Sequence, residues 1–139
     1  MTQRWLIVGV SLLGVNIGCA RTVPALPRVY PVNGKVLLAN GAPLTMGRVH
    51  LHPKDNPWAA EAFGEIQADG SFAITTSQRN DGAVPGTYLV TIEPYSYKTG
   101  NLRVLKPFPV PQRFWETETS GLSIEVKPGQ NSLQPIQLK

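Results

Sequence analysis

The stretch Pro85-Gly86-Thr87-Tyr88-Leu89-Val90-Thr91-Ile92-Glu93-Pro94 reads as one β-strand with a stop at each end. Tyr88, Val90 and Ile92 recur at every second position, the period that places side chains on one face of a strand. The residues are mostly β-branched or aromatic, which suits a pleated, half-buried surface. Pro85-Gly86 turns the chain in, and Pro94 has no N–H with which to continue a ladder.

The same pattern extends outward in both directions. On the N-terminal side, Val32, Gly34, Val36 and Leu38 alternate with Asn33, Lys35 and Leu37, and Asn40-Gly41 follows as a hairpin turn. Gly47 to His52 alternates again and stops at Pro53. Ala60 to Ala68 leads into Asp69-Gly70, a second hairpin signal, and then into Ser71 to Thr76. On the C-terminal side, Gly121 to Val126 alternates, Pro128-Gly129 turns the chain, and Ser132 to Leu138 makes a last strand. The pattern predicts an all-β domain, a roughly seven-stranded antiparallel β-sandwich of Ig-like layout over residues 32–139.

Five segments together carry a family resemblance. Val32-x-Gly34-x-Val36, Asn40-Gly41-x-Pro43, Gly47-x-Val49, Asp69-Gly70-Ser71-Phe72 and Pro85-Gly86-x-Tyr88-x-Val90 resemble the carboxypeptidase regulatory-like domain, a transthyretin-like β-sandwich. Thr119 to Leu122 and Pro128-Gly129-x-Asn131 resemble the ends of small bacterial lipoproteins carrying that domain. The likeness spans nearly all of residues 30–139. It implies a folding, docking or binding role and no zinc chemistry in the domain itself.

Composition agrees with a single β domain. The chain has 139 residues with 42% hydrophobic, enough for one core, and 13 Pro with 13 Gly, suited to short strands and turns. Its 13 Lys and Arg face 9 Asp and Glu. The basic residues are scattered singly, which argues against the clustered stripe of a nucleic-acid binder. One cysteine, Cys19, excludes an internal disulfide framework and a thiolate-based structural zinc site.

The position of Cys19 gives it a reading. Arg4 provides a basic start, Trp5 to Val15 an apolar run, and Gly18 a small residue before the cysteine. The run has about 11 residues, whereas a membrane-spanning helix needs roughly 20. Asn16-Ile17-Gly18-Cys19 resembles the lipobox of bacterial lipoproteins, with Asn16 where that motif usually has Leu. The expected organisation is a signal-peptide helix over 1–18, a lipidated Cys19 with a Pro-containing tether over 19–31, and the sandwich over 32–139. Ala20 in place of Asp favours the outer membrane or cell envelope. A secreted protein, or an uncleaved anchor, with Cys19 as an incidental thiol is the alternative.

Candidate chemistry is sparse. The only histidines, His50 and His52, lie two apart on a strand and project from one face, a weak metal candidate without a recognisable third ligand. Exposed histidines on a solvent-facing strand are the plainer reading. No Gly-x-Ser-x-Gly elbow, Ser-x-x-Lys pair or Walker loop occurs. The C-terminal Tyr-Arg-Gly-Ser motif of the transthyretin-like 5-hydroxyisourate hydrolases is absent, since the chain ends Ile136-Gln137-Leu138-Lys139. Asp69 and Asp81 precede glycines as turn formers.

Residues 95–119 form a long irregular stretch containing Tyr95, Tyr97, Phe108, Phe114 and Trp115. Such loops are often functional, and these aromatics either form a binding surface or cap an open edge of the sandwich. Trp58 permits the same two readings. The sequence therefore predicts a non-enzymatic, membrane-tethered module without a cofactor, docking an envelope protein or, alternatively, a glycan through the loop aromatics.

Overall fold

The computed structural model describes residues 25–56, 58–94 and 107–139. Their regular secondary structure is mostly β-strand, arranged in two sheets, with almost no helix. The first sheet contains β1 (Val32–Leu37), β4 (Ser71–Ala73), β7 (Asn131–Ser132) and β8 (Ile136–Gln137). The second has the order β3-β2-β5-β6, from β2 (Arg48–Pro53), β3 (Ala62–Glu65), β5 (Gly86–Glu93) and β6 (Leu122–Val126). A 3-10 turn at Gln112–Trp115 and the single turn of α1 (Thr117–Ser120) pack against β5.

Alternation places the core as expected. Val49 and Leu51 of β2 and Tyr88, Val90 and Ile92 of β5 are buried. They belong to one apolar cluster with Val32, Val36, Phe72 and Ile74 from the first sheet and its connections. The sheets also meet at one margin, where Phe63 and Thr75 exchange N–H···O bonds of 3.0 and 2.7 Å between the β3 and β4 sides.

Three details differ from the sequence reading. The Asn40-Gly41 turn closes locally, with Leu38 and Ala42 hydrogen-bonded at 2.8 Å, but returns only one bridge, Leu37 to Pro43. Leu44 N–H still reaches back to the Val36 carbonyl at 3.0 Å, but Val36 N–H is turned to Gly70, and the fully buried Leu44 leads the chain towards β2 in the other sheet. Asp69-Gly70 does make a tight turn, yet β3 and β4 on either side belong to different sheets. The last strand is divided into β7 and β8, with Pro135 between them, and both pair with β1 in parallel. Eight short strands thus stand among the described residues, and their pairing is mixed rather than wholly antiparallel.

Candidate functional site

The chemistry gathers on the face of the second sheet opposite the core. Because β2 lies between β3 and β5, the outward residues of all three strands share one surface. His50 stands opposite Phe63 of β3 and Thr91 of β5, and His52 lies one residue pair further along. Both imidazoles project from one face, as two-residue spacing requires. They are not fully solvent-facing: each side chain retains 15% exposure, and the ring centroids are 5.2 Å apart in an edge-on arrangement.

A hydrogen-bonded chain runs across this face. His52 Nδ1 lies 3.3 Å from Glu61 Oε1, and His52 Nε2 lies 3.0 Å from Thr91 Oγ1. Thr91 then donates to Glu93 Oε1 at 2.7 Å. With its one hydroxyl hydrogen directed at Glu93, Thr91 can only accept from His52. Glu93 Oε1 also faces His50 Nδ1 at 3.5 Å, too far and too poorly aligned for a hydrogen bond. His50 Nδ1 is consequently a buried nitrogen with no hydrogen-bond partner.

Arg48 completes the surroundings. Its guanidinium lies 4.6 Å above the Phe63 ring and 3.7 Å from Glu65, drawing its charge to the β3 side. Phe63 in turn meets His50 edge-on, with centroids 6.0 Å apart. From α1, the carboxyl of Glu118 is held below its ordinary range by a backbone hydrogen bond and by Thr117, and the charge of His52 acts in the same direction.

Two kinds of chemistry fit parts of this arrangement. Thr91, His52 and Glu61 have the distances of a nucleophile, base and orienting carboxylate. Thr91, however, is 1% exposed and its hydroxyl is committed to Glu93, so its oxygen is closed to a substrate. His50, His52 and Glu93 instead offer two imidazole nitrogens and a carboxylate oxygen, all within 4.8 Å of one another. That donor set suits borderline divalent metals.

The other sequence candidates are dispersed. Trp58 is 89% exposed on its loop. Phe114 is buried in the core, while Phe108 and Trp115 pack against that core with their rings 5.9 Å apart. The Trp115 indole donates to the Val110 carbonyl at 3.2 Å. These three aromatics are therefore engaged in packing. Cys19, Tyr95 and Tyr97 lie outside the described residues. Asp69 accepts from Ser71, and Asp81 from the backbones of Thr76, Ser77 and Gln78, so both carboxylates perform turn chemistry.

An open cleft of about 610 Å³ is lined by Phe63, Glu65 and Gln67 together with Asn33, Phe72 and Arg79. Glu61, Thr91 and Glu93 were not singled out by sequence. Thr91 and Glu93 do share an alternating face of one strand, but only the β2–β5 register brings them to the histidines. No family model, curated protein or solved structure matches the chain.

Proposed function

We propose that this chain is a non-enzymatic, lipid-anchored module of the cell envelope. In this reading Cys19 carries the lipid, residues 20–31 tether the domain, and residues 32–139 form a transthyretin-like sandwich similar to carboxypeptidase regulatory-like domains. The observation that carries the non-enzymatic part is the burial of Thr91, which closes the Thr91–His52–Glu61 arrangement to substrate. An anchored acyl chain contributes about 0.8 kcal/mol per buried CH₂, so two or three chains would hold the domain at the membrane.

The accessible features favour docking over chemistry. Trp58 presents an indole at 89% exposure, the residue type most enriched at interface hot spots. The preferred partner is an envelope protein. An exposed indole also stacks on sugar rings, which keeps glycan binding as the second reading.

Intact mass of the membrane-extracted protein, beside a Cys19→Ser variant, tests the anchor. A mass fitting residues 19–139 plus acyl chains supports it, with the variant released to the soluble fraction. An unmodified chain in the soluble fraction overturns it. Crosslinking in native membranes with Trp58→Ala then tests docking: loss of a protein adduct supports a partner, while loss of polysaccharide retention alone transfers the role to glycan.

A further inference from the structure

We infer that His50, His52 and Glu93 form a binding site for one first-row divalent cation of the Zn²⁺ or Cu²⁺ class. The site does not depend on the anchor or on the docking reading.

The donor types come first. Two neutral imidazoles and one carboxylate suit ions of intermediate softness, whereas Mg²⁺ and Ca²⁺ favour oxygen-rich shells. Metal–ligand distances near 2.0–2.2 Å in a tetrahedral shell put neighbouring donors about 3.4 Å apart. The three donors already lie within 4.8 Å, so small side-chain rotations suffice to close the shell.

The scaffold holds that geometry. His50 and His52 share one face of β2, and Glu93 arrives from β5 through a continuous antiparallel ladder that pairs Arg48 with Glu93 and His50 with Thr91. Sites on paired strands are more closely fixed than sites on loops. Outer partners are also in place: when one His52 nitrogen binds the ion, the other keeps either Thr91 or Glu61. Metal-bound histidines characteristically have such a partner on the second nitrogen.

A second observation points to a ligand. His50 Nδ1 is buried and unpartnered while it faces the Glu93 carboxylate at 3.5 Å. A cation between them would coordinate both atoms. The remaining exposure of the two imidazoles leaves an entry path and room for a water as fourth ligand. The local charge is favourable, because Glu61 adjoins His52 and Arg48 is paired with Glu65 on the β3 side.

The sequence makes the test clean. With two histidines and one cysteine in the whole chain, a Cys19→Ser background leaves His50 and His52 as the only nitrogen or sulfur side chains of ordinary metal-ligand type. The full chain in detergent, stripped with chelator, is titrated calorimetrically with ZnCl₂. Saturable one-to-one binding is expected, weakened by about tenfold or more in His50→Ala and in Glu93→Gln. At the same zinc concentration the melting temperature of the parent should rise by clearly more than that of His50→Ala.

Should His50→Ala fail to fold, Cu²⁺ bound to the parent provides an independent readout. Its electron paramagnetic resonance spectrum should show coupling to imidazole nitrogen. Absence of saturable zinc binding, binding unchanged by Glu93→Gln, or a copper spectrum without nitrogen coupling would each overturn the site.

Discussion

Thr91 Oγ1 lies 3.0 Å from His52 Nε2 and 2.7 Å from Glu93 Oε1, joining β2 to β5 through side chains as well as backbone. The threonine is almost fully buried on the sheet face that strand alternation turns away from the core. Its hydroxyl is therefore a structural connector between a histidine and a carboxylate, and its removal affects both.

Replacing Thr91 with Val preserves the shape and deletes the connector. His52 Nε2 and Glu93 Oε1 each lose a partner, and an unsatisfied buried polar group costs about 1–3 kcal/mol. Urea unfolding of Thr91→Val should show a loss in that range, with Thr91→Ser recovering much of it. Equal midpoints for Val and wild type would mean that the chain of bonds contributes nothing net.

Asn131 links the end of the second sheet to the beginning of the first. Its amide donates to the carbonyls of Pro31, Lys127 and Gly129 at 2.9–3.3 Å, and its oxygen accepts from Lys127 N–H at 2.9 Å. Asn131→Ala leaves several of these groups without partners, with an expected loss of about 2–3 kcal/mol. Asn131→Asp keeps the acceptor but turns a carboxylate oxygen, which cannot donate, towards those three carbonyls, so a melting temperature no higher than that of Ala is expected.

Gly82 is required by backbone geometry. It has φ +96°, and a Cβ there would overlap the carbonyl of Tyr30. The same region is closed by reciprocal Tyr30 and Ala83 hydrogen bonds of 2.9 and 3.0 Å. Gly82→Ala combines an unfavourable dihedral with a backbone clash, and should cost about 3 kcal/mol or more in thermal unfolding. Gly41→Ala has the same sign of φ and no neighbour within 4 Å, so its smaller loss isolates the dihedral contribution.

Asp81 supplies a pH dependence. Burial pushes its carboxyl pKa up, but the N–H groups of Thr76, Gln78 and Ser77 together outweigh it and hold the carboxyl below its ordinary value. A folded-state pKa below the unfolded one contributes stability above the unfolded value near 3.9, and loses it as pH falls through the folded value. Asp81→Asn should thus cost about 1 kcal/mol at pH 7, after allowance for solvent screening, and progressively less below pH 4. Urea midpoints at both pH values check it, and a constant difference would contradict the assignment.

Local rules determined a good part of this protein. Alternation in Val49-His50-Leu51-His52 and Tyr88-Leu89-Val90-Thr91-Ile92 established which side chains enter the core, because successive residues in a strand face opposite ways. Pro53 and Pro94 marked where those strands stop, and Asp69-Gly70 marked a true turn, since proline chemistry and positive φ act within a few residues. The last strand was read as continuous from Ser132 to Leu138, and its division around Pro135 came from the structure.

Only the tertiary structure decided what each strand meets. Asn40-Gly41 and Asp69-Gly70 looked like hairpins, but whether a turn returns the chain to the same sheet depends on burying residues such as Leu44 and Ile74. The pairing of β2 with β5, some forty residues apart, brings Thr91 and Glu93 to His50 and His52. Phe108, Phe114 and Trp115 allowed recognition or capping, with capping the preferred reading, and the space at the core took them into packing. Alternation is a property of one strand, whereas a site built across strands depends on register, which is set by which hydrophobic faces can be buried together.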